Sequence, residues 1–336
     1  MLVPGSIPNI IFSKSFKRLL FIKWKAFYKN TFFISLILFT IAIIYLSAKI
    51  FEHKSLIFVL KDFLNFRFLF FLFLVFSLQF VNWFLESIKL KILLNRYYSK
   101  NIKTVLKAIY AGNFTALITP KRIGNFIGRF LILNENKRLV TILTFFGNSY
   151  QLLITLVMSV LGLFWLVLYD FSYVFISNFQ SKALVLFYSL FLIILFGLLF
   201  NFNWLNYFNR FKYFSNWGSN FKYLNTIPIF IRINVLFLSA SRYFIFILQY
   251  YIFVVAFNLP VDFFQVTLCL GVLFGLVTLT PSFLPGNLGT REAICVLILG
   301  GGVLGLQFSL ISFMVWFINV GCSAIIGGFL LINNKR

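Results

Sequence analysis

The stretch Leu284-Pro285-Gly286-Asn287-Leu288-Gly289-Thr290-Arg291-Glu292-Ala293 interrupts a long apolar segment with a proline, two glycines and a charged pair. An earlier stretch, Thr119-Pro120-Lys121-Arg122-Ile123-Gly124-Asn125, interrupts another. Both contain Pro-x-x-(Ile/Leu)-Gly, and the prolines lie 165 residues apart in a chain of 336. Proline ends a helix, and glycine permits the backbone from which a new one starts. The apolar segments around the breaks are 104–134 and 263–304. Each half is marginal for crossing about 30 Å of hydrocarbon. The two segments read as broken, re-entrant hairpins and together as an internal repeat.

Composition sets the surroundings of these breaks. The chain is 61% hydrophobic, 21% aromatic and 11% charged, with a mean hydropathy of +0.96. A soluble domain carries about 25% charged residues, so this chain is solvated mainly by lipid. Six full spans are expected, at 31–48, 68–88, 139–168, 183–203, 235–258 and 307–332. An eight-helix count results if both broken segments cross. The fold class is an all-α polytopic membrane protein. Residues 1–30 form a basic cytoplasmic segment, 31–332 one transmembrane domain with repeat units 68–168 and 235–332, and 333–336 a tail.

The formal charge of +23 does not point to nucleic acid, because the basic residues fall in short runs between apolar segments. With both breaks returning to the side they entered from, 23 of the 30 Lys and Arg lie on the side of the N-terminus. The positive-inside rule then makes both termini cytoplasmic, in a bacterial cytoplasmic membrane. The first 29 residues are polar and basic, so no cleavable signal peptide is expected. The same orientation gives the two units opposite topologies. That is the inverted-repeat arrangement in which broken helices meet near the midplane and build a substrate site.

Several chemistries are excluded. His53 is the single histidine, and Cys269, Cys295 and Cys322 are far apart in apolar surroundings. Neither a multi-histidine zinc site nor a Ser–His–Asp triad is available, and no metal or cofactor is expected. A phosphate-bearing ligand suits the breaks better. Helices starting near Asn125 and Thr290 present free amides and a positive dipole end. Lys121, Arg122 and Arg129 add charge at the first break, and Asn287 and Arg291 add polar groups at the second. Pro120, Gly124, Pro285, Gly286 and Gly289 make the breaks themselves. Glu292, an acid between apolar spans, is the sharpest functional candidate. Adjacent on a helix, Arg291 and Glu292 are expected to have separate partners. Glu86 reads as the blander acid, paired with Lys89 near the cytoplasmic interface. Asn148, Gln151, Arg242 and Gln249 read as hydrogen-bonding residues between helices.

The set Asn82-Trp83, Glu86, Lys89, Thr119-Pro120-Lys121-Arg122-Ile123-Gly124, Gly128-Arg129 and Pro285-Gly286-Asn287-Leu288-Gly289-Thr290-Arg291-Glu292-Ala293 resembles the lysylphosphatidylglycerol synthase transmembrane, or flippase-like, family. The resemblance covers roughly 30–332. It implies a module that moves an aminoacylated phosphatidylglycerol between leaflets, with a separate soluble domain attaching the amino acid. That domain is expected to be absent from a sequence that ends at Arg336, soon after the last span. A separate aminoacyltransferase or glycosyltransferase is then an expected partner, and no enzyme activity of its own is expected. Family members often carry an acid where this chain has Asn125. The alternative is a membrane enzyme or accessory subunit acting on polyprenyl- or glycosyl-phosphate lipids.

Overall fold

A computed structural model describes residues 65–119, 122–168, 178–200, 224, 226–280, 287–300 and 302–333. The expected span 31–48, together with Pro120, Lys121, Pro285 and Gly286, lies outside the described residues. Those that are described form helices and no strand. They are α1 (Phe66–Leu94), α2 (Ile102–Ile118), α3 (Gly124–Leu133), α4 (Lys137–Leu168), α5 (Asn178–Phe200), α6 (Ile229–Ala256), α7 (Phe263–Leu279), α8 (Thr290–Leu299), α9 (Val303–Trp316) and α10 (Ser323–Asn333). A π-helical turn, Phe317–Cys322, joins α9 and α10 into one 31-residue span.

Among the described residues four helices are long and apolar enough to cross a bilayer: α1, α4, α6 and the α9–α10 span. They fall where 68–88, 139–168, 235–258 and 307–332 were expected, and α5 falls on 183–203. Sequence reading ends the span 68–88 before Lys89 and Lys91 and counts both with the cytoplasmic charge. The helix continues to Leu94 because Glu86 and Lys89 pair inside the protein, where neither needs water.

The helix lengths recur. The run α1, α2, α3, α4 has 29, 17, 10 and 32 residues. The run α6, α7, α8 and the α9–α10 span has 28, 17, 10 and 31. Caps explain the short helices. The Asn101 side chain accepts from the Lys103 amide at 3.1 Å to start α2, and Asp262 with Gln265 forms a capping box at α7. Each 17-residue helix ends on Thr followed by Pro, at 119–120 and again at 280–281. Thr119 and Thr280 each donate a hydroxyl hydrogen bond to the carbonyl four residues back, both at 2.7 Å.

α1 and α6 pack antiparallel. At one end Arg67 donates to Asn258 at 3.1 Å, and the Phe68 ring stacks near Phe253 at 6.3 Å. At the other end the Tyr97 and Thr226 hydroxyls are 2.9 Å apart. The α2–α3 pair therefore departs from one end of this two-helix unit and the α7–α8 pair from the opposite end. Each pair is a helical hairpin. A 2.6 Å ion pair between Lys100 and Glu135 ties the start of α2 to the end of α3.

The hairpins pack across the two halves, α2 on α10 and α7 on α4. Glycine permits both approaches. A Cβ on Gly162 would sit 2.6 Å from the Leu268 carbonyl, and one on Gly327 would collide with that of Tyr110. Phe73, Phe237 and Phe329 are each about two-thirds exposed on spans whose other faces are buried. Aromatic faces of this kind on every long span fit lipid and not water.

Candidate functional site

α1 places Gln79, Asn82, Glu86 and Lys89 on one inward stripe, at the i, i+3, i+7, i+10 spacing of a helix face. All four are buried, with Glu86 at 1% exposure. Glu86 is the hub of a charged cluster drawn from three helices. Its Oε2 meets Lys89 Nζ at 2.7 Å and also Nη1 of Arg242 from α6. Its Oε1 accepts from Nη2 of Arg129, on α3, at 3.0 Å. Arg129 also donates through Nε to the Asn125 side chain at 3.0 Å. The Arg242 guanidinium lies 5.2 Å from the centre of the Trp83 ring, in cation–π range.

A polar ladder continues from the cluster. Arg242 Nε donates to Asn82 Oδ1 at 2.8 Å, and Asn82 Nδ2 donates to Asn319 Oδ1 at 3.1 Å. Asn319 sits in the π-helical turn, donates to Gln249 Oε1 at 2.8 Å, and accepts from Trp83 Nε1 through its carbonyl at 3.0 Å. Gln249 in turn donates to the Val75 carbonyl. Single π turns in α-helices are frequent at functional positions.

The sequence candidates divide between this cluster and its surroundings. Glu86 does pair with Lys89, yet the pair is buried and shares two arginines, so the reading of an interfacial pair is corrected. A lone Lys at i+3 is visible in sequence, whereas Arg129 and Arg242 come from 43 and 156 residues away. Lys89 and Arg129, tallied with the cytoplasmic charge in the sequence, are spent inside. Arg291 and Glu292, expected to have separate partners, approach each other at 3.5 Å. Both are buried, and neither Glu292 oxygen has a hydrogen-bond partner among the described residues. One turn on, Cys295 lies within electrostatic range of Glu292. The Tyr250 hydroxyl, which donates to Ser312 at 3.0 Å, is within range of both Arg291 and Glu292.

The breaks share backbone as well as sequence. Arg122 and Asn287, each two residues after its proline, adopt left-handed φ values of 57° and 61°. Such values are uncommon outside glycine and mark matching turns. In the first break the Gly124 amide donates to Thr119 Oγ1 at 2.7 Å, opening α3. A Cβ on Gly124 would strike the Thr115 carbonyl, and Gly128 meets Ala111 in the same way, so α2 and α3 touch backbone to backbone. The second connection is longer, 280–289 against 119–123, and Gly289 at φ 78° opens α8. Pro120 thus matches Pro281 at the end of the first helix of the hairpin and Pro285 before the second. The repeated Thr-Pro dipeptide is the sequence signal for the first of these matches.

Arg122 brings the breaks together. Arg122 lies within electrostatic reach of Arg291, Arg242, Arg129 and Glu86. Among the described residues Glu292 is beside Arg291, and the other two acids are engaged elsewhere, Glu135 with Lys100 and Asp262 in the α7 cap. The Glu86 cluster holds one carboxylate against three cations, and Arg122 adds a fourth. Charge at this depth costs several kcal/mol per ion unless it is matched. The region between the hairpins is therefore short of anions among the described residues.

Comparison with curated proteins and with solved structures finds no match. A family model does match, over residues 32–327, nearly the whole chain. With its spans, its paired hairpins and that match, the chain belongs to the family described as the lysylphosphatidylglycerol synthase TM region, and it is an integral membrane protein of that family.

Proposed function

We propose that the protein is a lipid translocase, moving a phospholipid such as an aminoacylated phosphatidylglycerol between leaflets. The observation that carries this reading is the surplus of positive charge around Glu86, one carboxylate against Lys89, Arg129 and Arg242, with Arg122 within electrostatic reach. A lipid phosphate is the anion a membrane supplies in quantity, and an arginine fork holds it at two points. Arg122 and Arg291 are the direct ligands, with Lys121 beside them in sequence. Arg129, already bound to Glu86 and Asn125, sets the field and does not leave its partners. Asn287 adds a polar group at the second turn, and Glu292 faces a cationic or hydroxylated headgroup.

The hairpins are re-entrant in this reading, one from each side of the membrane, and the two units form an inverted repeat. Both termini are cytoplasmic, in a bacterial inner membrane. The antiparallel α1–α6 pair and the matched helix lengths support that arrangement. A separate aminoacyltransferase or glycosyltransferase supplies the lipid. An enzymatic reading built on Glu86 is weaker, because three cations already hold that carboxylate.

Reconstitution tests the proposal. Proteoliposomes with fluorescent phosphatidylglycerol and a membrane-impermeant quencher report lipid exchange between leaflets. Exchange faster than in empty vesicles, and slowed by Arg122→Ala, is expected. Equal rates with and without protein sink the reading.

A further inference from the structure

The base of the second hairpin is open. A cavity of about 350 Å³ lies between α7, α8 and α9. Its rim is at helix ends: Pro260 and Val261 precede α7, Leu299 ends α8 and Val303 begins α9. Deeper, the walls are Cys269, Leu304 and Phe308. A narrow extension shares Cys269 and Phe308 and continues to Leu273 and Cys295. Along α7 the cavity wall runs from Gln265 to Cys269, about 6 Å of helix axis, and a slot of about 10 Å³ continues to Leu273.

Among the described residues no charged side chain lines either space. Gln265 faces the cavity, but its side chain accepts from the Asp262 amide in the α7 cap. Cysteine packs as a small apolar residue. Gln307 is the remaining polar group on the wall, suited to an ester carbonyl. The first hairpin differs at its corresponding base, where Val105, Leu133, Leu139 and Val140 are buried in the core.

We propose that this cavity holds one acyl chain of a membrane phospholipid, its ester end at the rim beside Pro260 and Val303. An apolar space of about 350 Å³ that opens at helix ends in a lipid-solvated bundle fits part of an alkyl chain and no charged ligand. A seated tail restores the packing that the first hairpin obtains from its own side chains, and it fixes the distance between α7 and α9. The inference does not depend on translocation.

A phosphatidylglycerol with a diazirine in one acyl chain, in vesicles of phosphatidylglycerol and phosphatidylethanolamine, tests it. After irradiation, adducts are mapped by peptide mass spectrometry. Labelling of Cys269, Leu304 and Phe308 should exceed labelling of the lipid-facing Phe313 and Phe329 severalfold. Leu304→Trp, or Val303→Phe if that variant does not insert, should abolish the excess and leave Phe329 unchanged. Uniform labelling, an excess that survives both substitutions, or labelling by a photoactivatable free fatty acid alone would each overturn the proposal. Protein that labels in the cavity but does not exchange lipid removes the translocase reading and keeps the tail site.

Discussion

Glu86 and Glu292 are both buried acids in helices, and their surroundings assign them different work. Glu86 is held by three cations, so neutralising it leaves Lys89, Arg129 and Arg242 repelling one another away from water. Breaking a buried ion pair from one side costs about 3–5 kcal/mol. Glu86→Gln should therefore unfold well below the wild type in detergent thermal melts, whatever its effect on lipid movement. Glu292 has a single cation near it, Arg291 at 3.5 Å, and no side-chain hydrogen-bond partner among the described residues. Glu292→Gln should melt within a degree or two of wild type. In the exchange assay it should lose about tenfold or more, the equivalent of one charge-assisted contact of about 1.5–3 kcal/mol. If the two variants swap these phenotypes, the roles assigned here are reversed. Sequence alone gives the two acids the same roles, but it shows only the i+3 lysine of Glu86 and not Arg129 and Arg242, which come from distant helices.

At the scale of the elements, the hairpins depend on close backbone contact. Gly327 on α10 has no room for a methyl group against the Tyr110 carbonyl of α2. Overpacking of this kind costs about 1–3 kcal/mol, and Gly327→Ala should lower the melting temperature accordingly. Gly197 on α5 is the control, because nothing lies within 4 Å of its missing Cβ. Alanine in place of an interior helix glycine is worth roughly 0.5–1 kcal/mol, so Gly197→Ala should melt slightly higher. Melts of the two variants with the same sign would refute the packing argument. The breaks themselves were readable from proline and glycine. That α2 rests on α10, and α7 on α4, was not, because helix packing partners leave no local pattern in one sequence.

For the whole molecule, the two hairpins leave opposite ends of the α1–α6 pair, and their bases should therefore lie on opposite faces of the membrane. With Cys269, Cys295 and Cys322 replaced by serine, Asn136→Cys and Asn258→Cys provide the reporters. An impermeant maleimide added to intact cells should label Asn258→Cys and leave Asn136→Cys unlabelled until the membrane is opened. Labelling of both from the same side would exclude the mirrored arrangement.

Hydropathy and the two Pro/Gly breaks by themselves determined a helical membrane protein with two interrupted segments, since continuous apolar runs of about 20 residues cross lipid as helices, which satisfy their own backbone hydrogen bonds. Only the tertiary structure decided which charges belong together. Glu86 gathers Arg129 and Arg242 from distant helices, and Arg122 comes within reach of Arg291, because folding sets distances that chain separation does not encode. The open base of the second hairpin was likewise invisible in sequence, where its apolar residues look the same as those that close the first.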